Sequence, residues 1–169
     1  MTAFELFARL SPAETTGILE WFQESDRPAY KTCVGLLAGR RKLRPVFVER
    51  KPKAERNVWM TENLAKSVNA DIAAEVLQAW ILGAHGAMVC EFLEVLKIPH
   101  DGRGLIEALP AEPPVGEMDK AVNQLFANHP AGAVFVYLNL FAAMEMTDWP
   151  HLKSLVATDA RLCQNPTKP

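Results

Sequence analysis

Apolar residues recur along this chain at helical spacing, and proline stands where those stretches begin rather than inside them. Ser11-Pro12-Ala13-Glu14 reads as a helix start. Ser11 caps, Pro12 takes the first helical position, where a missing N–H costs nothing, and Glu14 can reach back to close a capping box. Ile18, Leu19, Trp21 and Phe22 then form an apolar stripe. Asp26 caps a second helix through Pro28, Tyr30, Val34 and Leu37. It is expected to stop at Gly39, because glycine tolerates the left-handed conformation at a helix end.

Residues 43–50 are ambiguous: Val46, Phe47 and Val48 favour a strand while their surroundings favour a helix, and we read a short helix. Pro52 restarts the chain into a helix over residues 54–60. Ser67 or Asn69 caps a long one whose Ile72, Val76, Leu77, Trp80 and Ile81 share a face. Gly83 and Gly86 bracket His85 and mark a break before residues 88–96. Residues 98–116, rich in proline and glycine, are the one extended irregular stretch, with room for a helical turn over 105–109. Helices are expected next over 117–128 and 130–145, then a last one capped by Asp148 and running through Leu155.

A faint internal repeat links these pieces. Leu36-Leu37-Ala38-Gly39 precedes Trp80-Ile81-Leu82-Gly83 by 44 residues, and the stretch from Trp80 to His85 precedes that from Gln124 to His129 by the same interval. Periods of this length belong to stacked two-helix repeats. The expected fold is all-α: one domain over residues 1–160 with about seven to nine helices, either an irregular bundle or a short stack of helical hairpins, and a disordered tail over 161–169.

Composition changes this picture little. A chain of 169 residues with 49% hydrophobic and 22% charged residues has the makings of one ordinary core and excludes wholesale disorder. Cys33, Cys90 and Cys163 are widely spaced, odd in number and without a Cys-x-x-Cys pair. They read as small apolar residues in a reducing compartment. The first ten residues lack the pattern of a signal peptide, and the apolar run 131–144 falls short of the roughly 20 residues that span a bilayer. The expected location is the cytoplasm, with no membrane partner.

Charge changes it more. Residues 27–56 carry ten basic side chains against two acidic ones, a net +8, whereas residues 1–26 carry −4 and residues 57–169 carry −6. A cationic patch on an acidic chain attracts phosphates or an acidic protein surface. The candidate binding residues are Arg40, Arg41, Lys42, Arg44, Arg50, Lys51 and Lys53. The same residue types also make ordinary solvated faces or pair with the acidic helices. Aromatics for stacking single-stranded bases are scarce nearby.

Candidate chemistry elsewhere is thin. His85, His100, His129 and His151 form no Glu-x-x-His or His-x-x-x-His pair, so no metal is implied. His85 and Cys90, five residues apart, sit on different helical faces and make a poor nucleophile and base. His100, Asp101 and Arg103 share a loop with Gly102 and Gly104, where a ligand could approach the backbone; Asp101-Gly102 is equally an ordinary turn dipeptide. No phosphate-binding loop, dinucleotide fingerprint or nucleophile elbow is present, and no cofactor is implied. The leading expectation is a helical protein that acts by protein–protein or self-association. The alternatives are polyanion or nucleic-acid binding through residues 40–56, and an enzyme with its site at residues 100–104.

Overall fold

The protein is described by a computed structural model over residues 1–163. It is all-α: eleven α-helices and one 3-10 turn occur among the described residues, nine of the helices being seven residues or longer. The helices are α1 (Ala3–Arg9), α2 (Pro12–Ser25), α3 (Arg27–Arg40), α4 (Pro45–Glu49), α5 (Lys53–Leu64), α6 (Ala70–Ala84), α7 (Gly86–Val95), α8 (Val115–Asn128), α9 (Ala131–Ala143), α10 (Pro150–Thr158) and α11 (Ala160–Cys163). The described residues fall into two compact units, 2–80 and 81–163, with the boundary inside α6. No single helix among the described residues is long and apolar enough to cross a membrane.

In the N-terminal unit the caps agree with the sequence pattern. The Ser11 hydroxyl accepts from the Glu14 N–H at 3.3 Å and the Glu14 carboxylate accepts from the Ser11 N–H at 2.8 Å, closing the capping box. Asp26 accepts from the Ala29 N–H at 3.0 Å and opens α3. Helix α1, which the apolar pattern did not predict, starts on Thr2 and Glu5, whose carboxylate accepts from the Thr2 N–H and hydroxyl, both at 2.8 Å. Helix α5 packs against α1, α2 and α3, and α4 packs on α3. Leu6, Ile18, Leu19, Leu37, Met60, Leu64 and Leu77 are buried in this unit.

The end of α3 departs from expectation. The helix runs through Gly39, and the left-handed residue is Lys42 at φ 55°. The Lys42 N–H donates to the Gly39 carbonyl and the Leu43 N–H to the Ala38 carbonyl, both at 2.9 Å, which is a Schellman closure. Helix α7 ends the same way on Lys97 at φ 57°, with the Ile98 N–H donating to the Leu93 carbonyl at 2.8 Å. Residues 43–50 do contain a short helix, α4, with Pro45 at its first position.

In the C-terminal unit α9 is the centre. Ten of its residues are buried, on every side of the helix, and α8, α10 and α11 pack against it. Its one polar interruption, Asn139, is fully buried; its amide donates at 2.9 Å both to the Phe135 carbonyl of its own helix and to the Leu162 carbonyl of α11. Phe92, Tyr137, Phe141 and Trp149 form a chain of ring contacts with centroids 5.3–5.9 Å apart. The Trp149 indole N–H donates to the Pro110 carbonyl at 3.0 Å, and the Glu112 carboxylate accepts from the Leu152 N–H at 2.9 Å. Those two bonds tie down the irregular segment, in which residues 105–109 form no helical turn.

Trp149 is core, as expected. Trp21, Trp59, Trp80 and Phe126 are only half-buried, the Phe126 ring being covered by the Arg161 guanidinium 4.5 Å above it. The expected tail begins differently, because residues 160–163 form α11 and Leu162 is fully buried; residues 164–169 lie outside the described residues. Helices α3, α6 and α8 end 44 residues apart, at Arg40, Ala84 and Asn128. The next helix is not the same in each case, however: the first end leads into the five-residue α4, the other two into the full helices α7 and α9.

Candidate functional site

The cationic segment lies wholly in the N-terminal unit, and the fold divides it into a tied half and a free half. Arg40 is the most tied. Its guanidinium grips Asp71 through two bonds of 2.8 and 2.6 Å and also donates to the Val68 carbonyl and, at 3.1 Å, to Asn69. Those bonds from Arg40 hold the Asp71 carboxyl at about 2, well below its ordinary value. Lys53 donates to Glu20 at 2.9 Å, which raises the lysine's pKa, and Lys51 stands 3.8 Å from Glu55. Arg40, Lys51 and Lys53, all candidate contacts by sequence, are therefore paired within the unit. Arg56 is held as well, its Nε donating to the Tyr30 hydroxyl at 3.0 Å.

The free half is Arg41, Lys42, Arg44 and Arg50. All four are exposed, and among the described residues none has a side-chain hydrogen bond or ion pair. Three of them stand on the Schellman turn and the cap of α4, so backbone hydrogen bonds fix where they emerge. Between them the chain exposes apolar side chains: Leu43 is 42% exposed, Val46 40% and Phe47 59%, while Val48 alone points into the core. Leu36, one turn before the end of α3, adds a further exposed leucine to the same unit. Isolated domains rarely leave large apolar groups together in water, and extensive patches of that kind mark interaction surfaces.

No family model, curated protein or solved structure matches this chain. Function must therefore be read from its own side chains.

The loop at residues 100–104 spends most of its polar groups on its own backbone, while His100 Nε2 also stands 3.9 Å from the Glu94 carboxylate. Asp101 accepts from the Arg103 N–H at 2.8 Å and from the Leu105 N–H at 3.0 Å, which lowers its pKa. His100, its side chain only 10% exposed, uses Nδ1 to accept from the Gly102 N–H at 3.1 Å. The Arg103 side chain makes no hydrogen bond among the described residues, but its charge helps to lower the Asp101 pKa. The turn chemistry that the Asp-Gly pair suggested thus absorbs His100 and Asp101. Gly104 sits at φ +88°, and a Cβ there would lie 2.6 Å from the Val89 side chain. Gly104→Ala is expected to destabilise the protein by about 1–2 kcal/mol, combining left-handed strain with overpacking. Gly102→Ala, at φ +81° in open space, meets only the first of these, so urea titrations of the two variants should rank them in that order.

Sequence reasoning missed a second polar cluster, because its members lie 33 to 38 residues apart. Glu91 of α7 accepts from Gln124 at 2.8 Å, from Asn128 at 2.6 Å and faces His129 Nε2 at 2.7 Å. Burial pushes the Glu91 carboxyl up, but the three hydrogen bonds outweigh it and leave its pKa lowered. Burial and the neighbouring His129 lower the pKa of His85. Burial drives the Cys33 thiol up to about 12, and the Cys90 thiol donates to the Gly102 carbonyl at 3.4 Å. Among the described residues no three His, Cys, Asp or Glu side chains are grouped to hold a metal ion.

Proposed function

We propose that this protein acts by binding another protein, and that the partner presents an acidic, amphipathic segment to the surface formed by the α3–α4 turn and α4. The observation that carries this reading is the interleaving of exposed Leu43, Val46 and Phe47 with the unpaired Arg41, Lys42, Arg44 and Arg50. Cations alone would suit the phosphates of a nucleic acid. The apolar side chains gain from burial roughly 25 cal/mol per Å², which a phosphate backbone cannot supply and an amphipathic helix with flanking carboxylates can.

The test is fluorescence anisotropy with a synthetic helical peptide bearing Leu and Phe on one face and Asp and Glu beside them. Binding is expected to weaken at least tenfold in Phe47→Asp and in the Arg41→Ala/Arg44→Ala pair, and to weaken with salt for the charged component only. If duplex DNA or anionic vesicles bind more tightly than the peptide, and lose that binding in the same variants, the protein reading fails. A peptide affinity unchanged in Phe47→Asp would also sink it.

A further inference from the structure

A cavity of about 250 Å³ opens in the N-terminal unit where the ends of α2 and α4 meet the start of α3 and the first turns of α5. Arg27, Tyr30, Lys31 and Val34 line it from one side of α3, at the spacing that puts residues on one helical face, and Gln23, Glu49 and Arg56 complete it. Its charge is lopsided: three cations against the single Glu49 carboxylate, a net +2. Arg27 and Lys31 have no side-chain hydrogen bond or ion pair among the described residues, unlike Arg40 and Lys53 in the same basic segment.

Arg56 gives the cavity a fixed donor. Its Nε donates to the Tyr30 hydroxyl at 3.0 Å, its Nη1 to the Glu49 carbonyl at 3.2 Å, and its Cζ lies 6.0 Å from the Tyr30 ring centre. Held at three points, the guanidinium keeps Nη2 without a protein partner among the described residues. A fork so oriented loses little freedom on meeting an oxyanion. Glu49 opposes any anion, and the three cations outweigh it.

We infer that this cavity binds a small phosphate monoester, its dianionic phosphate set among Arg27, Lys31 and Arg56 and its organic part in the remaining volume, over the edge of Tyr30 that stays accessible. Phosphate monoesters carry close to −2 at neutral pH, matching the net +2 of the lining. The volume lies below the roughly 300–1,000 Å³ of sites for drug-sized ligands, which favours a compact ester over a nucleotide. The site adjoins the partner surface proposed above through Glu49 of α4 but uses none of that surface's cations, and it does not depend on that reading.

The test is isothermal titration of the full chain with phenyl phosphate and with inorganic phosphate, at about 150 mM salt, where long-range attraction between exposed charges is screened beyond about 8 Å. Wild type is compared with Arg27→Ala/Lys31→Ala, Arg56→Lys and the surface variant Arg41→Ala/Lys42→Ala/Arg44→Ala. Phenyl phosphate is expected to bind saturably at one site. Affinity should fall at least tenfold in Arg27→Ala/Lys31→Ala, whose exposed side chains leave the fold intact, and should fall in Arg56→Lys, which keeps the charge but loses the fork. The surface variant should bind as wild type does. Absence of saturable binding, an unchanged affinity in Arg27→Ala/Lys31→Ala, or an equal loss in the surface variant would overturn the site. Inorganic phosphate binding as tightly as the ester would overturn the assignment of an ester.

Discussion

Trp149→Ala is expected to cost about 3–5 kcal/mol of folding stability, a large part of the roughly 5–15 kcal/mol that holds a typical domain together. The indole is 1% exposed, and its ring stands 5.3 Å from that of Phe141, the end of the aromatic chain through Tyr137 and Phe92. Removing it opens a cavity beside α9, the helix that the rest of the C-terminal unit surrounds. It also leaves the Pro110 carbonyl without its donor, so the irregular segment between α7 and α8 loses one of the two bonds described above. Trp149→Phe restores most of the volume but not the N–H, and should recover more than half of the loss. Urea denaturation followed by far-ultraviolet circular dichroism measures both. A loss below about 1 kcal/mol in Trp149→Ala would mean that the packing around α9 is not as described.

The second large effect is expected at Glu91, whose carboxylate is 22% exposed and receives bonds from α8 and its C-terminal cap. Glu91→Ala removes the shared acceptor of Gln124, Asn128 and His129, and should cost about 1.5–3 kcal/mol, the range for hydrogen bonds to a charged group. Because the folded state lowers the Glu91 pKa, its contribution is fully present above the unfolded value of about 4.3. It is lost as pH falls from there through the folded value. Wild type should therefore lose stability between about pH 5 and pH 3 more steeply than Glu91→Gln, which keeps an acceptor but cannot titrate. Parallel slopes for the two proteins over that range would refute the assignment.

Much of the helical framework was legible because it is local. Ser11 with Glu14, and Asp26 before Pro28, announce helix starts within four residues, and the structure uses both. The first helix was not read, since seven residues hold too few apolar repeats to register, although Thr2 and Glu5 carry its cap. Gly39 misled for a different reason: glycine lowers the cost of the left-handed turn but does not compel it, and the Schellman bonds to Ala38 and Gly39 hold Lys42 there instead. In the cationic segment the sequence could count charges but not pair them. Asp71, which engages Arg40, lies 31 residues away, and nothing in the local pattern separates Arg40 from Arg41. The cavity beside Tyr30 was hidden likewise, because Arg56 arrives from α5 and becomes a neighbour of Arg27 and Lys31 only through packing.

Helix α4 has five residues, of which Val48 alone is buried, far short of the roughly 12–15 that let a helix persist by itself. Its cohesion comes from one valine, the turn bonds at either end and the Arg56 bond to the Glu49 carbonyl, so it is expected among the segments that open at a small fraction of the global unfolding free energy. A partner that seats on Phe47 must hold this segment still, and part of the contact energy is consumed as lost conformational entropy. Complexes formed there should accordingly be quick to dissociate for their contact area, suiting an association that is made and broken repeatedly rather than a permanent subunit interface.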